Sequence, residues 1–318
     1  MSLPRKYGNS IPQRRLPLSS QPFSRTSLTA SLNPCSPRSA SRESWRFRPG
    51  PTRSRPLETD AHPFIALGAR LKGSSLVQTL GFRPNFCDYT DKEVDLINNA
   101  GTIYWPTAFY ADLFTTMGKR IFPSINNYAF ALDKIKQTAM FKLLDIPHPG
   151  TRIFYGRRQK QAVTDFFDFP FVAKIPRGSA RGQGIFLIKT QEELATYLKL
   201  PGPAYIQEYL PATRDMRVII IGKEIALAFW RVAKKGEFRT NLSQGGIIDF
   251  SPLPCQALEL ALETASQCNW NDVGLDIMEH QGRFLVLEAN MKYGTQGFKT
   301  VGINYKRMLE SLIVQGKI

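Results

Sequence analysis

The sequence predicts a mixed fold, a short α/β unit followed by further alternating strands and helices, behind a disordered basic tail. Three observations carry this expectation. Residues 1–60 are rich in Arg, Ser and Pro and poor in aliphatic residues. From Pro63 to about Tyr128, short apolar strands alternate with helical stretches. Beyond Asp133 two strand pairs stand out, one around a Gly-rich loop and one carrying carboxylates, with helical stretches between and after them.

The chain's 318 residues suffice for one or two domains with a sizeable core. Its longest apolar run, around Val218 to Ile221, is strand-sized, far short of the roughly 18–20 residues that cross a bilayer. A soluble, cytoplasmic protein without a membrane partner is expected. Cys35, Cys87, Cys255 and Cys268 form no CxxC pair, and His62, His148 and His280 are the only histidines. A zinc site or disulfide framework is therefore not expected, and the cysteines read as reduced.

The net charge of +16 is uneven. Residues 1–60 hold eleven Lys/Arg against three Asp/Glu, half of the total excess in a fifth of the chain. Such a segment cannot bury enough apolar surface to offset ordering and is read as disordered. Three roles compete for it: an inert or artefactual extension, an RNA- or ribosome-associating tail, and a targeting segment.

Beyond the tail, Ile65–Leu67, Ile103–Trp105 and Arg120–Phe122 read as strands of a small parallel sheet. Thr90 with Glu93 forms a capping-box pattern opening a helix over Asp91–Asn99, and Ala108–Met117 is a second helix. Asp133 caps the next, whose apolar spacing is Ile135, Ala139, Leu143 and Leu144 and which Pro147 and Pro149 end. Cys255–Gln267 reads as a helix with Leu258, Leu262 and Ala265 as its apolar face, and Tyr305–Val314 as the closing helix. There is no internal repeat.

Chemistry concentrates in a few places. Phe171–Ala173 delivers Lys174 to a loop containing Gly178, Gly182 and Gly184, and a second β-like run, Ile185–Ile188, follows. Glycines let backbone approach a ligand and an adjacent lysine supplies charge for phosphate. The spacing is neither Walker A nor the Rossmann fingerprint, because the loop leads into a strand; a purely structural hairpin is the alternative.

Val273–Glu279 and Arg283–Ala289 read as an antiparallel hairpin with a three-residue turn, His280–Gly282, which sets Glu279 opposite Arg283 and Asp276 opposite Val286. Asp276, Glu288 and Asn290 then project from one face, with Glu288 diagonal to Asp276. Two carboxylates in apolar strands repel unless something positive joins them, and magnesium is the natural solution. Salt bridging or a strand-end position is the alternative. Arg231 and Arg239 are candidates for bidentate phosphate clamping, and Tyr205–Leu210 ends a strand with polar edges suited to adenine and ribose.

The ordered series Asp133-Lys134, Phe171-Val172-Ala173-Lys174, the Gly-rich loop, Gln207-Glu208-Tyr209, Asp215-Met216-Arg217, Phe238-Arg239-Thr240-Asn241, Gly274-Leu275-Asp276-Ile277 and Leu287-Glu288-Ala289-Asn290 resembles the ATP-grasp superfamily. Within it the RimK-like branch of glutamate ligases matches best, a branch whose founding member adds glutamates to a small-subunit ribosomal protein. The resemblance covers about 131–300 and, more loosely, 63–130.

It implies an ATP-grasp fold. A tail (1–60) would be followed by a short N-terminal α/β domain (61–130) and two α+β lobes enclosing ATP, central (131–200) and C-terminal and metal-binding (201–318). It implies that Lys134 and Lys174 contact phosphates under the loop of Gly182 and Gly184. Gln207, Glu208 and Tyr209 would lie at the adenine hinge, Asp215 toward the ribose, and Arg217 in the nucleotide site. Arg239, Thr240 and Asn241 would sit beside the triphosphate and Arg231 by the transferring phosphoryl group, with Arg231 and Lys174 catalytic. Asp276, Glu288 and Asn290 would hold magnesium, or manganese in its stead, with Glu288 bridging two ions. After Asn290, Met291-Lys292-Tyr293-Gly294 departs from the family's small-residue and proline stretch.

The function this implies is an ATP- and magnesium-dependent carboxylate–amine ligase acting through an acyl-phosphate, adding glutamate or a similar amino acid to a peptide, protein or small-molecule acceptor. The rivals are a phosphotransferase on the same fold and a non-catalytic RNA- or ribosome-binding module that uses the basic tail.

Overall fold

The computed structural model describes residues 64–178, 184–234 and 246–318. The expectations for residues 1–60 fall outside them. Among the described residues no helix is long and apolar enough to cross a membrane.

The first unit contains β1 (Phe64–Ala66), β2 (Val77–Thr79), α1 (Asp91–Asn99), β3 (Thr102–Tyr104), α2 (Thr107–Thr116), β4 (Arg120–Phe122) and α3 (Ile125–Phe130). Its strands form a parallel sheet in the order β2-β1-β3-β4. The capping box is formed: Thr90 Oγ1 accepts from the Glu93 amide, and the Glu93 carboxylate accepts from the Thr90 amide at 2.8 Å. Arg83 also grips that carboxylate, at 2.7 and 2.8 Å.

Next come α4 (Lys134–Leu143), β5 (Thr151–Phe154), α5 (Gly156–Gln161), β6 (Phe171–Lys174), β7 (Ile185–Ile188), α6 (Gln191–Leu198) and β8 (Ala204–Glu208), with a sheet ordered β5-β8-β6-β7. The last part has β9 (Arg214–Ile221), β10 (Glu224–Val232), β11 (Ile247–Asp249), α7 (Cys255–Gln267), β12 (Asp272–His280), β13 (Arg283–Asn290), α8 (Gln296–Thr300) and α9 (Tyr305–Val314). Its sheet runs β11-β10-β9-β12-β13, with each neighbouring pair antiparallel.

Three expectations need correction. Helix α4 does not bury Ile135, Ala139, Leu143 and Leu144; Ala139 and Leu143 are exposed, and Lys134, Gln137, Thr138 and Phe141 are buried. That face is turned to polar partners, which hydrophobic spacing does not register. The helix also ends before the prolines, at Asp145 in the left-handed region (φ 52°), with the Ile146 amide donating to Phe141 O.

Helix α7 sets Ala257, Ala261, Thr264 and Ala265 against the sheet, while Leu258 and Leu262 are only partly buried. Small side chains there let the helix approach the strands closely. Finally, the β12–β13 turn has two residues, Gln281 (φ 50°) and Gly282 (φ 72°), so His280 pairs with Arg283. A bulge at Leu287 then moves Asp276 opposite Glu288 and Gly274 opposite Asn290.

The central sheet is covered on both sides, which explains the unbroken Val218–Ile221 run. Val218 and Ile220 pack with Val273, Leu275 and Ile277 under α7. Ile219, Ile221 and Phe229 face the other way, packing with Ala66, Leu71, Trp105 and α9. Farther along, this second face changes from apolar to charged.

Candidate active site

Strand pairing writes the charged row. Arg231 on β10 is opposite Asp215 on β9, Arg217 on β9 is opposite Asp276 on β12, and Asp276 is opposite Glu288 on β13. Paired residues share a face, so Arg231, Asp215, Arg217, Asp276 and Glu288 line one face across four strands, a row that ends on two neighbouring carboxylates. Arg231 grips Asp215 bidentately, Nε to Oδ1 at 2.7 Å and Nη2 to Oδ2 at 2.6 Å, and reaches Asp276 Oδ2 at 3.0 Å. Arg217 holds Asp276 through Nε at 2.5 Å and Nη2 at 3.1 Å, and Asn290 Nδ2 donates to the same carboxylate at 3.2 Å.

The electrostatics follow. Burial alone would lower the Arg231 pKa, but Asp215 and Asp276 hold it above its ordinary range. Burial would raise Asp276, yet Arg217 and Arg231 keep its carboxyl below the usual carboxylate value.

Two lysines stand over the row. Lys134, first residue of α4, meets Glu288 Oε1 at 2.9 Å. Its placement is fixed by the Asp133 cap on Lys136 N, by its own amide donating to Pro176 O at 2.9 Å, and by the Arg177–Asp133 pair at 3.0 Å. Lys174 ends β6 opposite Tyr205 of β8, with Nζ 5.8 Å from that ring's centre. Burial, then the nearby Lys134, push its ammonium down to about 8, partly offset by Glu288 and Asp276. Among the described residues no carboxylate bonds directly to this amine, which suits a site for phosphate.

Gln137, which sequence reasoning missed, locks this arrangement. Its Nε2 donates to Ala289 O at 2.8 Å, and its Oε1 accepts from Ala289 N at 3.0 Å. The backbone between Glu288 and Asn290 is thus bonded to the lysine helix. The available signal was its position, i+3 from Lys134 on one helix face.

The other expected residues divide. Gly182, Arg239, Thr240 and Asn241 lie outside the described residues. Gly184 (φ 73°) closes the β6–β7 hairpin: its carbonyl accepts from Ile175 N at 2.7 Å, and a Cβ would lie 2.9 Å from the Ile175 side chain. Gln207 shares the Lys174 face and donates to Thr151 Oγ1 at 2.9 Å.

Glu208 pairs with Phe171 on the opposite face, where its carboxylate accepts from Gly150 N at 2.6 Å. A cavity of about 480 Å³ lined by Glu208, Tyr209, Phe171 and Gly150 lies beside it, and the pairing register puts it behind the lysine face. Asp215, expected toward the ribose, lies inside the charged row. It is 4% exposed, and both its oxygens take Arg231. Arg231, expected by the transferring phosphoryl group, bonds to Asp215 and Asp276.

For a magnesium ion the donor chemistry fits unequally. Glu288 carries a carboxylate at the partly open edge of the row, and Asn290, with its nitrogen on Asp276, has its amide oxygen left for a cation. Asp276 is enclosed by Arg217, Arg231 and Asn290 and would have to exchange one of them. Among the described residues no three His, Cys, Asp or Glu gather as a metal cage. A hard cation here would therefore complete its coordination with substrate oxygens.

A lysine-bearing antiparallel sheet set over a carboxylate-bearing one is the arrangement of the ATP-grasp fold. The chain belongs to the RimK-like ATP-grasp domain family, whose model matches residues 131–313. A probable alpha-L-glutamate ligase of Citrobacter koseri is 28% identical over 182 residues, 55% of this chain and 60% of that protein. A ribosomal protein bS6–L-glutamate ligase of Escherichia coli is 29% identical over 184 residues, 55% of this chain and 61% of the relative. The chain thus spans about three fifths of these two relatives.

Among solved structures, the ATP complex of D-alanine–D-alanine ligase from Bacillus anthracis superposes with a TM-score of 0.59 at 14% identity, covering 80% of this chain and 97% of that one. A RimK domain ATP-grasp protein from Sphaerobacter thermophilus gives 0.52 at 16%, covering 68% and 82%. Both likenesses establish the fold.

Proposed function

We propose that this protein is an ATP-dependent carboxylate–amine ligase that works through an acyl-phosphate and uses an amino acid such as glutamate as a substrate. The observation that carries the reading is the pair of buried lysines, Lys134 and Lys174, set against Glu288 and the Asp276 row. Family membership and the relatives' names support the reaction class and the choice of glutamate.

A carboxylate is a poor acyl donor because oxide is its leaving group. Phosphorylation makes an acyl-phosphate, which an amine attacks, releasing phosphate. Positioning and charge neutralisation are the protein's main tasks. Lys134 and Lys174 bind phosphate oxygens, and Arg231 and Arg217 fix Asp276 so that the carboxylate side stays aligned. Glu288 and Asn290, with Asp276, would hold magnesium, which supplies charge neutralisation on the phosphates. The hairpin of β6 and β7 excludes water, which would otherwise hydrolyse the acyl-phosphate.

The test is incubation of the full chain with magnesium-ATP, L-glutamate and pooled peptides, following phosphate release and new amide masses. ADP and phosphate with a new amide mass is the expected result. A stable phosphorylated product instead would identify a phosphotransferase.

A further inference from the structure

In a parallel α/β sheet, ligands bind beyond the carboxyl ends of the strands, in the crevice where the strand order reverses. In the order β2-β1-β3-β4 that crevice opens between β1 and β3. The loop after β1 carries Arg70, the loop after β3 carries Trp105, and Thr107 opens α2 directly after it. Gly68 N donates to Trp105 O at 2.8 Å, tying the two loops together. Trp105 (φ 43°) and Thr107 (φ 71°) both hold the left-handed conformation, an unfavourable one for side chains of this size that recurs at ligand sites.

Arg70 is the unusual member. Its guanidinium lies over the rings of Tyr293 and Tyr305, 4.9 and 5.4 Å from their centres. Its one carboxylate neighbour among the described residues, Asp272, is 4.0 Å away, too far for a hydrogen bond. Asp272 is already answered by the Tyr293 hydroxyl at 2.5 Å and Trp105 Nε1 at 3.1 Å. Because Tyr293 gives its proton to Asp272, the Tyr305 hydroxyl donates to Tyr293 at 3.0 Å, and Arg70 makes no hydrogen bond to its oxygen. Among the described residues the Arg70 guanidinium donates no hydrogen bond, although its side chain is only 20% exposed.

The neighbouring wall is polar and also unsatisfied. The Tyr128 hydroxyl and Thr107 Oγ1 are buried without hydrogen-bond partners; the Thr107 amide lies beside the Tyr128 oxygen without closing a bond. A planar five-donor fork with one side against aromatic rings and none of its donors used matches a carboxylate.

The crevice also has the right relation to the phosphate row. Asp272, Gly274 and Asp276 follow at alternate positions on one face of β12, and four residues of strand span about 13 Å. Tyr293, under Arg70, is 3.0 Å from where a Gly274 Cβ would stand, and Arg217 of the row is 3.2 Å from the same point.

We propose that Arg70 binds a non-reacting carboxylate of the substrate, the α-carboxylate of the amino acid whose amine attacks, and so selects amino acids over their amides. This rests on the ligase reading only for the reaction; the carboxylate site itself is tested by binding. Full-length protein, with and without magnesium-ADP, is titrated with L-glutamate and L-alanine and with L-isoglutamine, L-glutamine and L-alaninamide.

The expected result is that the free acids bind about 10- to 100-fold more tightly than the α-amides, the range a charge-assisted pair supports. Arg70→Gln removes this preference with magnesium-ADP binding unchanged. Arg70→Lys keeps the charge and a reduced preference, which separates recognition from damage to packing. Loss with L-isoglutamine but not L-glutamine assigns the α-carboxylate, and the reverse pattern assigns the side-chain carboxylate to Arg70. Acids and amides binding alike, neither acid binding, or Arg70→Gln retaining the preference would each overturn the proposal. Absence of magnesium-ADP binding alongside intact discrimination would remove the ligase reading and leave the Arg70 site standing.

Discussion

Asp276 stands directly opposite Glu288 in the β12–β13 ladder, and the bulge at Leu287 puts it there. Both carboxylates project from the face that receives Lys134 and Lys174, yet their surroundings differ. Asp276 is enclosed by two arginines and Asn290, whereas Glu288 has Lys134 and a partly open edge. Under the proposed function this difference would give Asp276 mainly an aligning role and leave Glu288 the more open to the metal and phosphates.

Glu288→Gln should therefore keep the fold and lose the chemistry. Gln has the same shape, but it cannot neutralise Lys134 or serve magnesium as an anion. Phosphate release should fall on the order of 10²–10³-fold, with magnesium-dependent nucleotide affinity reduced more than metal-free affinity. Steady-state assays and calorimetry check this. Unchanged turnover would rule out Glu288 as the metal and phosphate anchor.

Lys174 gives the site a pH dependence of known sign. Its folded value of about 8 lies below the ordinary 10.5. Between these values the folded chain binds fewer protons than the unfolded one, so this residue's burden on stability lessens as pH rises through that window. Phosphate binding runs the other way, since it needs the ammonium. Nucleotide affinity should weaken above pH 8, up to tenfold per pH unit, and Lys174→Arg should flatten the profile. Titrations from pH 7 to 9.5 decide it.

Gln137→Ala should destabilise by about 2–4 kcal/mol, because the Ala289 amide and carbonyl would both remain buried without partners. Gln137→Glu should be no better, as its carboxylate would face the Ala289 carbonyl. Urea unfolding of the three proteins measures this. Equal midpoints would show that the β13 backbone does not depend on α4.

Much of the fold was legible where the signal is local. The Thr90–Glu93 box, the Asp133 cap and the limits of Cys255–Gln267 each depend on residues within a few positions of one another. The shared face of Asp276, Glu288 and Asn290 was legible for a subtler reason. The sequence reading took a turn one residue too long and lacked a bulge. Each error shifts the pairing by one, and two shifts restore a period of two. What stayed hidden is non-local. Hydrophobic spacing reads the buried face of α4 as exposed because its Lys134, Gln137 and Thr138 are polar. Arg70 meets Tyr293 across more than two hundred residues, and nothing near either marks the pairing.

The turn itself supplies a prediction that separates register from chemistry. Gln281 and Gly282 both hold positive φ, which the right-handed twist of the strands requires. Gly282→Ala should cost about 1–2 kcal/mol, the left-handed penalty of a side chain. Gln281→Asn should stabilise by a few tenths of a kcal/mol, since asparagine accepts this conformation more readily. Neither residue approaches the charged row, which lies near the other end of the strands, so turnover at moderate temperature should stay at the wild-type level in both variants. Thermal unfolding with parallel phosphate-release assays tests the pair. Lost turnover in a folded Gly282→Ala protein would mean that strain at the turn travels along the hairpin to Glu288, and that the bulge at Leu287 is a soft joint rather than a fixed one.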